Sequence, residues 1–310
     1  MKNAMRILRR GLALGLAVML CLAAAAWAED DGTTYIKNQW NFVDGSMDVS
    51  NGIPDDAAGV LEKIQRAGVL RVATEPYYPP QEFIDPTRSG QDQYVGADMT
   101  LARLIAKRMG VELEIVPMEF VRVLTAVSEG ECDLAISALA FTPARASMVE
   151  LSKGYYFAES GTTTGLLVRT EDLAAYTGIE SLADKTFVAQ SGSLQEALAA
   201  KHITAYQEFR RLSSAQSVFR AVQEKRADAA LVETEAAKRY IEKMPQCGLS
   251  LVSGISFLLE PQYEGDRIAG KKGELQLMYF VNGVIDEVLA SGQYDKWFEE
   301  YDSIAARIGQ

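Results

Sequence analysis

Four short segments place polar or charged side chains where a strand gives way to a helix or loop, and together they have the chemistry to hold a zwitterion. In the first, the apolar run 133–139 passes into Phe141-Thr142-Pro143-Ala144-Arg145. Thr142 suits an N-cap and Pro143 the first helical position, where its missing N–H costs nothing. Arg145 falls in the first turn, where a cation opposes the helix dipole, so the helix alone gives no reason for it. An anionic ligand would, because a guanidinium grips a carboxylate through two parallel hydrogen bonds; a surface ion pair is the plainer alternative. In the second segment, Gln190-Ser191-Gly192-Ser193 ends a strand, and Ser193 with Glu196 has the spacing of a capping box. Gly192 would let a ligand approach the backbone, although a well-capped helix accounts for the motif by itself. Third, Glu233 follows an apolar strand and opens the next helix, either as an acid favoured by the dipole or as an acceptor for an ammonium group. Fourth, Thr74-Glu75-Pro76-Tyr77-Tyr78-Pro79-Pro80 has no helical or strand periodicity, so its prolines present the tyrosines as an aromatic wall rather than as core.

Other chemistries are excluded. The chain has one histidine, His202, in a polar stretch that reads as surface, and three cysteines without Cys-x-x-Cys spacing. A zinc site and a Ser-His-Asp triad dependent on another histidine therefore have no residues to draw on. No cofactor, metal or catalytic residue is expected. The formal charge of the 310 residues is −11. The only charged residues before position 29 are Lys2, Arg6, Arg9 and Arg10, so the remainder carries 27 Lys+Arg against 42 Asp+Glu, a net −15. So acidic a body is a poor partner for nucleic acid and for anionic membranes.

The elements that must position these groups follow from the patterning. Basic residues, the apolar run 11–26 and Ala26-Trp27-Ala28 have the layout of a cleavable secretory signal over 1–28. Leu20 before Cys21 speaks against lipid attachment there. Residues 29–56 are polar and turn-rich and read as an irregular extension that packs on the body through Trp40 and Phe42. The spacing predicts helices over 57–67, 94–109, 121–128, 194–200, 215–224 and 234–243, with strands over 69–74, 112–116, 133–139, 186–190 and 228–232. Two more helices, 274–290 and 294–307, are separated by Ser291-Gly292. Strands alternating with helices imply an α/β fold with a mostly parallel sheet. Ala126-Val127-x-Glu129-x-x-x-Asp133-x-Ala135 is echoed 95 residues later by Ala221-Val222-x-Glu224-x-x-x-Asp228-x-Ala230, weak evidence for two similar lobes.

Over residues 60–305 the chain resembles the extracellular solute-binding proteins of amino-acid ABC importers. Gly68-Val69-Leu70-Arg71-Val72-Ala73 is similar to their opening strand, and Tyr94-Val95-Gly96-Ala97-Asp98 with Leu101-Ala102 to their GFDVDLA signature. Gly130-x-x-Asp133 is similar to the GxxD turn, Thr142-Pro143-Ala144-Arg145 to TPER, and Leu151-Ser152-x-Gly154-Tyr155-Tyr156 to FSxPY. The resemblance implies a two-lobed, type II periplasmic-binding fold: first lobe 57–163, second lobe 164–264, and a return through 265–310. A two-crossing hinge near 161–164 and 265–268 lets the lobes close on a ligand. It further implies that Arg145 clamps the ligand α-carboxylate with N–H groups near Ser193, and that Glu233 takes the α-ammonium. Tyr78 and Phe120 would form aromatic walls, Ser137 would face the pocket, and Glu75 would contact a basic side chain. Ala138 and Ala140 take pocket positions where the family usually offers polar side chains, Gln81 takes a position often held by Phe, and Glu233 replaces the more usual Asp. The expected partners are an amino acid and a membrane permease, for an exported, monomeric receptor. Two other readings stay open, an enzyme similar to the cyclohexadienyl dehydratases and a sensing or adhesion protein.

Overall fold

The computed structural model describes residues 41–43, 46–48, 59–158 and 163–309. The expected signal segment, the contacts of Trp40 and Phe42, and residues 161–162 of the first expected crossing lie outside them. The chain divides into units 1–52 and 53–310. In the first unit, β1 (Asn41–Val43) pairs antiparallel with β2 (Ser46–Asp48), Asn41 opposite Asp48. The extension is thus not irregular throughout. Asp44-Gly45, which separates the two strands, is a favoured hairpin-turn dipeptide.

In the second unit, α1 (Val60–Ala67) leads into β3 (Val69–Thr74) and a small antiparallel sheet of β4 (Tyr77–Tyr78), β5 (Glu82–Ile84) and β6 (Tyr94–Val95). There follow α2 (Ala97–Met109), β7 (Glu112–Pro117), α3 (Phe120–Glu129), β8 (Leu134–Ala140), α4 (Pro143–Met148) and β9 (Val149–Leu151). Next come β10 (Thr163–Arg169), β11 (Thr186–Gln190), α5 (Leu194–His202), β12 (Glu208–Leu212), α6 (Ala215–Gln223), β13 (Ala229–Glu233), α7 (Thr234–Lys243) and β14 (Leu249–Leu258). The chain ends with β15 (Asp266–Lys271), α8 (Leu275–Ser291) and α9 (Gln293–Arg307).

Two five-stranded sheets organise this unit, in the orders β7-β3-β8-β15-β9 and β12-β11-β13-β10-β14. The orders correspond position by position. In each sheet three neighbouring strands are parallel. The other two pairings are antiparallel and involve the strand that arrives from the other sheet, β15 or β10. The chain passes from β9 to β10 and back from β14 to β15, and the two passages lie side by side: Tyr156 bridges Asp266, and Thr163 pairs with Leu258.

The 95-residue echo falls on corresponding elements, α3–β8 and α6–β13, and its aspartates do the same work. Asp133 Oδ2 accepts the N–H of Arg71 at 2.8 Å, while its own N–H donates to the Arg71 carbonyl at 2.9 Å. Asp228 Oδ2 accepts the N–H of Thr186 at 2.9 Å and its N–H donates back at 2.8 Å. Each aspartate ties the start of one central parallel strand to the next. The strands behind them are buried, with Leu134, Ala135, Ile136, Ala229 and Ala230 all at 0% exposure, as a sheet covered on both faces requires. Cys132 and Cys247 are buried and free, in the cores of different sheets. His202 is exposed, as expected, and stacks on Phe257.

One predicted helix is shorter than its periodicity suggested. Residues 94–95 form strand β6, and α2 starts only at Ala97. Gly96 has φ 126° and packs so closely on β5 that an added Cβ would lie 2.1 Å from the Gln81 carbonyl oxygen. Only glycine tolerates both conditions, so the helix cannot extend backwards through it.

Candidate functional site

The C-terminal ends of β3, β8, β11 and β13 meet at one cleft between the two sheets, as expected where strands of an α/β sheet give way to helix N-termini. All nine residues singled out above (Glu75, Tyr78, Phe120, Ser137, Ala138, Ala140, Arg145, Ser193 and Glu233) line it.

Arg145 is built in by its own helix start. Thr142 caps α4 by accepting the Arg145 N–H at 3.1 Å, with Pro143 in the first turn. The guanidinium turns back into the cleft: Nη1 donates to the Ala140 carbonyl at 2.7 Å and Nη2 to the Gly192 carbonyl at 3.0 Å. It lies 5.6 Å from the centroid of the Phe120 ring, a cation–π distance. Arg145 is only 7% exposed, and burial pushes its pKa down to about 10. Among the described residues it forms no ion pair. A buried cation held by carbonyls alone is prepared for an anion.

The opposite chemistry lies at the ends of β3 and β5. The Glu75 N–H donates to Ser137 Oγ at 3.0 Å, and Ser137 Oγ donates to Glu82 Oε1 at 3.0 Å. Among the described residues, Glu75 Oε1 and Glu82 Oε2 are buried and accept no hydrogen bond. Burial pushes Glu75 up to about 8, against the lowering effect of hydrogen bonds from Gln190 and the Tyr77 backbone. Glu82 is raised strongly by burial, then by the neighbouring Asp98 and Glu75 carboxylates. Leaving buried acceptors unmade is costly, so this pole suits a ligand that donates.

Glu233 ends β13 and caps α7. Its Oε1 accepts the Glu235 N–H at 3.0 Å, and its Oε2 accepts the Ala236 N–H at 2.5 Å and the Tyr78 hydroxyl at 3.4 Å. Burial raises its pKa against those two N–H bonds. Tyr78 faces the cleft and Tyr77 is exposed, the alternation of a strand. Ser193 Oγ accepts the Glu196 N–H at 3.1 Å, but the reciprocal half of the capping box is not made. Glu196 Oε2 takes the Gly192 N–H at 2.7 Å instead, because the Ser193 N–H is turned toward the Gln190 carbonyl.

The family profile of the bacterial extracellular solute-binding proteins, family 3, matches residues 70–303. The chain belongs to that family. It is 31% identical over 180 residues to the arginine-binding extracellular protein ArtP of Bacillus subtilis, a match covering 56% of this chain and 64% of that protein. It is similar to the structure of AbpA, an amino-acid ABC transporter substrate-binding protein from Streptococcus pneumoniae bound to L-arginine. That likeness has a TM-score of 0.67, 31% identity, and coverage of 78% of this chain and 98% of the other. An ancestral amino-acid-binding protein, a precursor of cyclohexadienyl dehydratase, is similar at TM-score 0.66 and 27% identity, covering 78% and 99% of the two chains.

Two groups that line this solute-binding protein's cleft, Glu82 and Asp266, and one buried behind it, Asp98, are not among the nine residues singled out from the sequence. Glu82 lines the cleft beside Glu75, in a three-residue strand too short to show a period. Asp98, within the signature that resembles GFDVDLA, is fully buried and accepts the Ala138 N–H at 2.9 Å and the hydroxyls of Tyr155 and Tyr294 at 2.8 and 2.5 Å. It thereby holds Ala138 at φ 47°, a conformation costly for alanine. Asp266, at the start of β15, accepts from Gln81 Nε2 at 2.6 Å, and burial pushes it up to about 7. Asp98 had a signal in the signature; Asp266 had none.

Proposed function

We propose that this protein is the solute receptor of an ABC importer and that its ligand is a basic L-amino acid, held between two lobes that close on it and handed to a membrane permease. The carrying observation is the polarity of the cleft. Among the described residues, a buried arginine that forms no ion pair stands at one pole, and two buried carboxylates with an oxygen that accepts no hydrogen bond, Glu75 and Glu82, at the other. An α-carboxylate meets Arg145 through its fork of N–H donors, and a guanidinium or ammonium side chain meets Glu75, with Glu82 behind it. Phe120 and Tyr78 flank the path between the poles. The names of ArtP and of AbpA bound to L-arginine point the same way.

Lobe closure around the two interlobe passages fits this role, since burying the ligand strengthens each of its hydrogen bonds. We read the protein as a binder rather than an enzyme. Both Glu233 oxygens accept backbone N–H groups, which holds that carboxylate as an acceptor and not as the proton donor a dehydratase would need at this position. Incubation with prephenate or arogenate should give no product.

A thermal-shift screen of the twenty L-amino acids on the protein lacking residues 1–28, followed by calorimetry, tests the main reading. Arginine, lysine or ornithine should raise the melting temperature most. If no basic amino acid stabilises the protein, the ligand class is wrong.

A further inference from the structure

Asp266 sits where the chain re-enters the first sheet. It is opposite Ala140 in the antiparallel β15–β8 pair, and directly opposed residues of such a pair project from the same face about 5 Å apart. Ala140 is also the residue whose carbonyl receives Arg145 Nη1. Asp266 is therefore beside the guanidinium, close enough for each charge to act on the other, yet the two form no ion pair among the described residues. Its Oδ2 is oriented by Gln81 Nε2. Its backbone is pinned by Asp266 N–H to the Tyr156 carbonyl and Tyr155 N–H to the Asp266 carbonyl, both at 2.9 Å.

Glu233, the acid that the family resemblance assigns to an α-ammonium, is heavily occupied. Each carboxylate oxygen has two lone pairs. Oε2 already serves the Ala236 N–H and the Tyr78 hydroxyl, Oε1 serves the Glu235 N–H, and Arg239 Nη2 lies 4.0 Å from Oε2. An α-amino acid carries its ammonium one carbon away from its carboxylate, so a carboxylate bound at Arg145 places the ammonium in the space that Asp266 borders. We propose that Asp266, oriented by Gln81, is a ligand-contacting residue that accepts the α-ammonium group beside Arg145. Gln81 is a positioning residue in this scheme, acting through Asp266. The inference rests on the reading of the cleft as an α-amino-acid site, not on the ligand's side chain.

The test compares L-arginine with 5-guanidinopentanoic acid, which has the same carboxylate and guanidinium but no α-ammonium. Asp266→Asn should weaken L-arginine at least about 10-fold, the scale of a lost hydrogen bond to a charged group, and leave the deamino compound within about 2-fold of wild type. Gln81→Leu should weaken L-arginine by a smaller factor and again spare the deamino compound, a selectivity that general loosening of the cleft would not produce. Equal losses for both compounds, or undiminished L-arginine binding by Asp266→Asn, overturn the assignment. Should wild type take L-glutamine and no basic amino acid, the basic-ligand reading falls, and Asp266 is tested with L-glutamine against glutaramic acid. A wild type that binds no α-amino acid overturns both.

Discussion

Arg145 donates from Nη2 to the carbonyl oxygen of Gly192, 47 positions away and attached to the other sheet, at 3.0 Å. The same glycine has φ 76° and lies so near α3 that a Cβ on it would stand 3.0 Å from Val121 Cα. The seam between the lobes thus closes where the cleft keeps its buried cation. In the proposed scheme, a ligand anion arriving at Arg145 meets a group that already reaches both sides, so that capture and closure would act through one side chain.

Arg145→Ala should abolish ligand-induced thermal stabilisation by L-arginine, with a loss of affinity of at least about 100-fold, typical of truncating one member of a buried charge pair. Arg145→Lys should recover little, because an ammonium lacks the planar fork. Undiminished stabilisation of the alanine variant, read in a melting curve with and without ligand, would remove the assigned role.

Glu75→Gln should discriminate between ligands. Calorimetry should show L-arginine and L-lysine weakened roughly 10- to 100-fold, since a charge-assisted hydrogen bond is lost. Neutral amino acids should change far less. A uniform loss across all ligands would mean that Glu75 supports the cleft without contacting the side chain.

Affinity for a basic ligand should rise with pH. Burial holds Glu75 at about 8, so it is protonated at pH 6. A cation beside it favours the carboxylate and lowers that pKa in the complex. Binding therefore releases protons below about pH 8, and affinity climbs by up to roughly 10-fold per pH unit until that value. Glu82 and Asp266, raised first by the same burial, act in the same direction. Calorimetry of L-arginine at pH 6 and 8, in two buffers of different ionisation heat, measures both quantities. Weaker binding at pH 8 would contradict the scheme.

Asp98→Ala should destabilise the fold by at least about 3 kcal/mol, because the Ala138 N–H and the hydroxyls of Tyr155 and Tyr294 lose a buried acceptor together. Chemical denaturation reads the loss. A drop near 1 kcal/mol would show that water or Glu82 replaces the carboxylate.

The sequence alone determined the α/β alternation and the caps at Thr142 and Ser193, and the family resemblance added the rest of the nine residues that line the cleft. The caps, Phe120, Ala140, Arg145, Ser193 and Glu233 lie at strand–helix junctions, whereas Glu75 and Tyr78 lie between strands β3 and β5. Cap chemistry, helix dipoles and turn residues act over one turn of chain, so local spacing encodes them, and resemblance to a family orders them. The tertiary structure alone decided what those motifs meet. Gln81 and Asp266 are 185 positions apart, and no local preference reports that β15 returns beside β8. The Gly96 break in the expected helix likewise depends on which backbone lies alongside, here the Gln81 carbonyl. Short-range physics selects the groups that can hold a charged ligand. Long-range strand pairing, driven by burial of both sheets, decides which carboxylate stands next to which cation.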